Sequence, residues 1–376
     1  MNYSLVVNGF GNAFLQEFGC PCPRCARKEP VANVSVSILG REDDGRIAWH
    51  VLVDVGLGVV NSLRNTFRAD EARVDWLLFT HWHPDHSLEL NRLGETMRRT
   101  ARRRGEPFSR IPTWCREGTG KWLAKNFSYE WHRCLDGRPT KESEPPGTLL
   151  DPVPLGAKGI AITPVSVSHA GADISAENFK ERRYNCACFV VQTATKKTAL
   201  LWDLDGGNTW IANPETEAQR KAVRLLSGAD YLLLDCFSWS VEEVAGFGTG
   251  HLSFATAREF ARALRPRETL LVHMGGHEDG EGNPGWGWTD RQWEDEALKL
   301  WRRDGLPGTV RSRAGRGDHD LTEESGMDEL LKKIKEITGA GDEAARKVVD
   351  EVVAFAKEKV PGPFQHFVDQ IFERDE

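Results

Sequence analysis

Leu77-Leu78-Phe79-Thr80-His81-Trp82-His83-Pro84-Asp85-His86 is the stretch whose reading decides the fold. An apolar run, Trp76 to Phe79, has the length of a buried strand, and it gives way at once to two imidazoles two residues apart. Imidazoles at that spacing on the turn after a strand can converge on one cation. Asp85 and His86, next in the chain, can reach a second. Imidazole with carboxylate is a donor set for Zn, Mn or Fe. A histidine-rich surface turn is the bland alternative, but four donors at this spacing arise by chance in only about one chain in a thousand.

Working outward, short runs rich in Val, Leu and Ile recur at Ser4 to Asn8, Asn33 to Leu39, Trp49 to Val55, Ile160 to Val167, Ala187 to Gln192, Ala199 to Trp202, Tyr231 to Leu234 and Thr269 to Val272. Each is bounded by turn or polar residues and reads as a buried strand. Helical patterns such as Phe254 to Leu264 and Asp290 to Arg302 lie between them, which implies an α/β layered architecture. Asp54, His81, His169, Asp203, Asp235 and His273 all stand where such runs end. Layered folds build their sites at strand ends.

The HxHxDH pattern at His81, His83, Asp85 and His86 resembles the hallmark of the metallo-β-lactamase fold superfamily. The resemblance implies a four-layer αββα fold and assigns the strand-end residues in chain order. Asp54 supports the site loop, His169 completes a first metal site with His81 and His83, and Asp203 bridges. His273 completes a second site with Asp85 and His86. Taken singly, each is an ordinary core or loop residue; in this order they are ligands. Asp205 is the alternative bridge, since Asp203-Leu204-Asp205 offers two carboxylates near one turn. A divalent ion lowers the pKa of bound water from 15.7 to about 7, and two ions about 3.5 to 4 Å apart can share a hydroxide. The implied activity is hydrolysis, with Asp85 either orienting the nucleophile or ligating the second metal. Three residues beyond His86 the wider family often has Gly, and this chain has Glu89.

Cys20-Pro21-Cys22-Pro23-Arg24-Cys25 supplies three thiolates in a tight turn, one short of a tetrahedral structural zinc site. This run resembles the branch that contains the phosphonate-pathway cyclic phosphodiesterase and the pyrroloquinoline quinone biosynthesis protein B. In the phosphodiesterase a histidine shortly after the last site histidine completes the zinc. His277 stands there one residue late, with Cys186 or Cys188 as alternatives. A redox CxxC pair would leave Cys20 unexplained. The same resemblance implies that His251, ahead of a helical pattern, protonates the leaving group, as an imidazole with a pKa near working pH can; a helix-start histidine with a local hydrogen bond is the bland reading.

The chain has 376 residues, 28% charged, with a formal net charge of -7. The acidic balance argues against a general nucleic-acid binder, although Arg98 to Arg104 forms one basic run that reads either as a phosphate-attracting patch or as a solvated helix face. No stretch approaches the roughly 18 apolar residues of a membrane helix, and the start lacks the marks of a signal peptide, so a cytoplasmic location is expected. Eight cysteines are too few for a disulfide scaffold. Residues 1–324 read as the catalytic domain, with an insertion over about 94–154 that shapes substrate access. After the polar link Gly315 to Gly326, three apolar stripes predict a three-helix module over 325–376: Met327 to Ile337, Val348 to Ala356 and Phe364 to Phe372. This appendage is the candidate contact for a second copy or a protein partner. Trp82, Trp286 and Trp288 can stack on a base or simply pack. The sequence as a whole reads as a two-metal hydrolase with one structural zinc, acting on a small cyclic or nucleotide-like phosphodiester. Ester or lactone hydrolysis, iron-dependent oxidation and a non-catalytic metal-dependent sensor are the rivals.

Overall fold

The computed structural model describes residues 2–14, 16–27, 31–140, 144–173, 184–241, 250–312, 318–320, 334–335, 338–339, 341, 344–345 and 347–352. Its first sheet opens with β1 (Asn2–Gly9), β2 (Ser35–Arg41) and β3 (Ile47–Val53), an antiparallel meander. It continues in parallel through β4 (Trp76–Leu78), β5 (Ile111–Arg116) and β6 (Leu135–Thr140). The second sheet contains β7 (Ile160–Val167), β8 (Cys186–Thr193), β9 (Lys197–Leu201), β10 (Tyr231–Asp235), β11 (Glu268–Val272) and β12 (Thr309–Arg311) in spatial sequence, antiparallel to β9 and parallel thereafter. A last strand, β13 (Asp318–Asp320), pairs antiparallel with β1 and closes the edge of the first sheet.

Strand side chains alternate between two apolar layers, which is why these runs are apolar throughout. Trp76 and Leu78 enter the core between the sheets, whereas Leu77 and Phe79 face the opposite way. In the second sheet Leu233 points to the shared core and Leu232 and Leu234 point outward. Residues from helices Val59–Thr66, Leu90–Arg104 and Glu117–Asn126 cover the outer face of the first sheet. Glu217–Leu226, Phe254–Leu264 and Asp290–Arg303 cover that of the second. The result is the expected four-layer αββα arrangement.

The stretch over 94–154, expected as an insertion, carries regular structure: most of Leu90–Arg104, two further helices, and β5 and β6, which extend the first sheet. The Gly315 to Gly326 stretch, read as a link, contributes β13 to the same sheet. The basic run falls in the last turns of Leu90–Arg104, where Arg98 pairs with Glu95 and Arg104 donates to the Ala69 carbonyl. Cations there complement the helix dipole, in keeping with the solvated-face reading. Among the described residues no helix is long and apolar enough to cross a membrane.

The chain separates into two compact units, Met1–Leu321 and Thr322–Glu376. In the second, described helical positions include 334–335, 344–345 and 347–352. Gly339, with φ 66° and its N–H on the Lys335 carbonyl, ends a helix in the left-handed conformation. Val349 is buried and Val348 and Val352 are exposed. The other expected stripe residues, Met327, Leu330, Leu331, Ile337, Val353, Ala356 and the stripe from Phe364 to Phe372, lie outside the described residues.

Candidate metal centre

The ends of β3, β4, β7, β9, β10 and β11 bring the donors together, and the backbone carries a cost for it. Asp54, Asp203 and His273 have φ of 59°, 57° and 61°. The left-handed region costs a non-glycine residue on the order of 1–3 kcal/mol. Glycine would serve the turn more cheaply, so side-chain chemistry outranks backbone preference at these three positions.

Two of the donor groups that result match the expected sites, and two more bring in His251, with His169 and Asp203 and with Asp235 and His273. His81, His83 and His169 form the first, with His169 Nε2 at 3.2 Å from His83 Nδ1. Asp85, His86, Asp203 and His273 form the second. Asp203 stands between them: Oδ2 is 3.0 Å from His86 Nε2, and Oδ1 is 3.5 Å from His273 Nε2, 3.8 Å from His169 Nε2 and 3.9 Å from His81 Nε2. Asp85 Oδ2 lies 3.2 Å from His273 Nε2 and 3.3 Å from His86 Nε2. Asp205 is elsewhere engaged, accepting from the Gly207 N–H to cap the 3-10 turn Gly206–Ile211.

These residues fit divalent cations. His81 Nε2, His86 Nε2 and Asp203 Oδ2 are buried and make no hydrogen bond, an arrangement that costs about 1–3 kcal/mol per group unless something else satisfies it. Burial drives His81, His83 and His169 below the ordinary imidazole range, toward the neutral form that binds a cation. His86 goes the other way: burial opposes its charge, but Asp203, Asp85 and Asp54 crowd it and raise it well above that range. Burial also pushes the carboxyls of Asp85 and Asp203 upward, and the neighbouring imidazoles more than offset it. The centre thus concentrates negative charge that cations would balance.

Asp54 is the best-satisfied carboxylate in the centre. It accepts from the Thr80 N–H at 2.9 Å, the Thr80 hydroxyl at 2.7 Å and Trp202 Nε1 at 3.0 Å, and its Oδ2 lies 2.8 Å from His86 Nδ1. The last contact fixes the proton of His86 on Nδ1 and turns Nε2 toward Asp85 and Asp203, the usual service of an outer carboxylate to a ligating histidine. Asp235, singled out at a strand end but given no role from sequence, does comparable work on the other side. It accepts from the Leu204 N–H at 2.9 Å, lies 3.3 Å from His251 Nδ1, and comes within 3.8 Å of His273 Nδ1. A carboxylate closing a strand beside two site histidines was the available signal. His251 itself lies 3.8 Å from Asp203 and stacks on Phe237 with centroids 4.4 Å apart. Burial works against its charge, but Asp235, then Asp203, raise it to about 9.

The cysteines form a separate cluster. Cys20, Cys22 and Cys25 Sγ lie 3.3, 3.2 and 3.6 Å from His277 Nε2, close to the edge of about 3.5 Å that Zn–S and Zn–N bonds give in a tetrahedron. His277 Nδ1 is 2.9 Å from Glu17, which orients the ring. The three thiols are free of disulfides. Cys186 and Cys188, the alternatives, are buried in β8, and Cys188 donates to the Trp202 carbonyl.

Trp82 stacks on Trp122 at 5.0 Å, and Trp288 packs against Trp239 and Trp293, the packing reading of these rings. Trp286 lies edge-on to His277 at 6.1 Å. Glu89 accepts from the Val60 N–H and from Arg92, so the residue in place of Gly braces the start of helix Val59–Thr66.

The model of the family described as beta-lactamase superfamily domain matches residues 50–274. Among solved structures, a diphosphatase from the PhnP family is 19% identical, covers 85% of this chain and 97% of its own, and superposes with a TM-score of 0.56. The metallo-beta-lactamase fold protein YhfI from Bacillus subtilis is 13% identical over 85% of this chain and 100% of its own, with a TM-score of 0.54. Zn(2+)-bound PqqB from Methylobacterium extorquens is 16% identical over the same shares, at 0.53. At these identities the likeness is one of fold, and two of the three fall in the branch that the cysteine run resembles. No curated protein matches the sequence.

Proposed function

The chain belongs to the beta-lactamase superfamily, and from that premise we propose that it is a hydrolase dependent on two divalent cations, acting on a small cyclic or nucleotide-like phosphodiester. The observation that carries this reading is Asp203, whose Oδ2 meets His86 of the second group while Oδ1 lies between His273 of the second and His169 and His81 of the first, joining the two into a single centre. Zn, Mn or Fe held there supplies the acidity that makes water nucleophilic near neutral pH and offsets charge growing on a phosphoryl oxygen. The protein's own groups do the rest. Asp54 holds His86 in the required tautomer, Asp85 either helps hold the second cation or orients the attacking water, and Asp235 aims His251. His251 hands its proton to the leaving oxygen. Its side chain is 13% exposed, against 3% or less for His81, His86, His169 and Asp203, so it is the more open to a bound substrate. A doubly cationic centre suits an anionic phosphoryl group, and a diphosphatase shares the fold. The cluster of Cys20, Cys22, Cys25 and His277 holds a structural zinc.

The test is hydrolysis of a chromogenic phosphodiester by protein reconstituted with Mn or Zn, beside an Asp203→Ala control. Turnover that vanishes in the control is the expected result. A fully loaded protein that hydrolyses no phosphodiester, yet turns over an ester, a lactone or an oxygen-dependent substrate, would overturn the substrate class.

A further inference from the structure

His273 and His277 belong to one short segment, and two residues beyond His277 stands a carboxylate that neither metal site uses. Asp279 is 6% exposed. Its Oδ2 accepts the Trp239 N–H at 2.8 Å, and its Oδ1 accepts the Ser240 N–H at 2.7 Å, the Ser240 hydroxyl at 2.8 Å and the Val241 N–H at 3.3 Å. Successive backbone N–H groups gathered on one carboxylate are a strong, directional clamp. The turn above is built around it: a Cβ on Gly285, at φ +100°, would come within 2.3 Å of Asp279 Oδ2 and 2.6 Å of the Trp239 Cβ.

From the clamped residues the chain leads directly to His251. The Phe237 N–H donates to the Leu252 carbonyl at 2.9 Å, and the Phe254 N–H donates to the Ser238 carbonyl at 2.8 Å, so 237–238 and 252–254 run as a short ladder. The Phe237 ring lies on the imidazole of His251, and its carbonyl accepts the Gly275 N–H at 2.8 Å. On the other side, Glu278 accepts the backbone N–H groups of Gly276 and His277, whose ring lies against the thiols with Glu17 on its Nδ1.

We propose that Asp279 is a positioning residue that couples the cysteine cluster to His251: metal at the cluster fixes His277, the segment 277–279 carries that order to 239–241, and the ladder passes it to the proton donor. This rests on the reading of His251 as proton donor; the coupling itself rests on the hydrogen bonds alone. It makes the cluster a control on the reaction as well as a support for the turn.

Hydrogen–deuterium exchange with mass spectrometry on the full-length metal-loaded protein tests it. Asp279→Asn leaves one acceptor where there were two. Ser240→Ala is a milder variant that removes a single contact. Cys22→Ser removes a cluster donor, while a serine keeps the cap that Cys22 gives the Cys25 N–H. The expected result is exchange about tenfold faster at Phe254 and Gly275, which Asp279 does not touch, in both Asp279→Asn and Cys22→Ser, with a smaller rise in Ser240→Ala and β8 peptides unchanged. Wild-type exchange at those two amides in Asp279→Asn or in Cys22→Ser would overturn the coupling. Kinetics supply a second arm: in Asp279→Asn, kcat for an alkyl phosphodiester falls about tenfold with KM within threefold, and the loss shrinks for a nitrophenyl leaving group that needs no proton. Equal losses on both substrates would overturn the proposed route through His251. If the wild type hydrolyses no phosphodiester, the functional reading falls and the exchange arm still decides the coupling.

Discussion

The His/Asp centre and the cysteine cluster both gather donors that suit a cation, by opposite constructions. The centre draws its donors from residues as far apart as His81 and His273, each delivered by the end of a strand, and His81 and His86 are 0% exposed. Three of the turns that deliver donors or their supports run through left-handed backbone. The cluster takes three of its four donors from Cys20 to Cys25, in a turn whose regular structure is the four-residue helix Pro23–Ala26, and only Cys22 among the thiols is buried. Packed sheets therefore organise the centre, whereas the cluster turn is held by side-chain contacts, chiefly buried Arg24 on Asp290 and on the Met274 and Trp288 carbonyls. Preorganised donors favour tight, geometry-selective binding; donors on a short, partly exposed turn would couple occupancy to local folding.

Four substitutions break or sharpen this contrast. The largest effect belongs to Asp203→Ala, which removes the group common to both halves of the centre: turnover should fall by about a thousandfold or more, and metal analysis should show loss at the centre with the cluster still filled. Next is Asp54→Asn, which tolerates the positive φ and keeps the volume but withdraws the charge from His86 Nδ1; cation affinity at the centre should drop about 10–100-fold in a competition titration, with the cluster unaffected. Cys22→Ser should do the reverse, losing the cluster metal and lowering the melting temperature by about 5 °C while the centre keeps its ions. The smallest effect comes from a histidine with no metal role. His50 is buried with Nε2 at 2.8 Å from the Ser37 hydroxyl, and its pKa is lowered to about 4, first by burial.

The sign for His50 follows from linkage. Between its folded value of about 4 and the ordinary 6.5, the unfolded chain takes up a proton that the folded chain refuses. Its stability contribution is therefore complete above pH 6.5 and lost as pH falls toward 4, by on the order of 3 kcal/mol at most. Urea unfolding of wild type and His50→Gln across that window should show a shallower decline in the variant. Parallel curves would mean that burial alone does not set an imidazole's charge state here, and would weaken the same inference for His81 and His169.

How much of this was legible beforehand depended on whether the side chains or the backbone carried the information. Nine strands, from Ser4 to Asn8 through Thr269 to Val272, show themselves because both faces of each sheet are covered and their runs are apolar. The donors converge where the HxHxDH pattern and the chain order of Asp54, His169, Asp203 and His273 put them, and His277 reaches the thiols despite its late spacing. By contrast β6, Leu-Asp-Gly-Arg-Pro-Thr, and β13, Asp-His-Asp, are polar edge strands that pair through backbone groups, about which side-chain pattern is silent. The role of Asp235, and Asp279 altogether, were hidden for a related reason. Their partners are backbone N–H groups and a histidine remote in sequence, and no spacing rule relates 279 to 239.

The most direct test of the account is the metal content of the purified protein by mass spectrometry under native conditions, with Asp203→Ala and Cys22→Ser alongside. Two independent centres predict three metal ions on the wild type, retention of the cluster ion in Asp203→Ala, and retention of two ions in Cys22→Ser. A wild type that binds a single ion, or an Asp203→Ala protein with undiminished content, would contradict it.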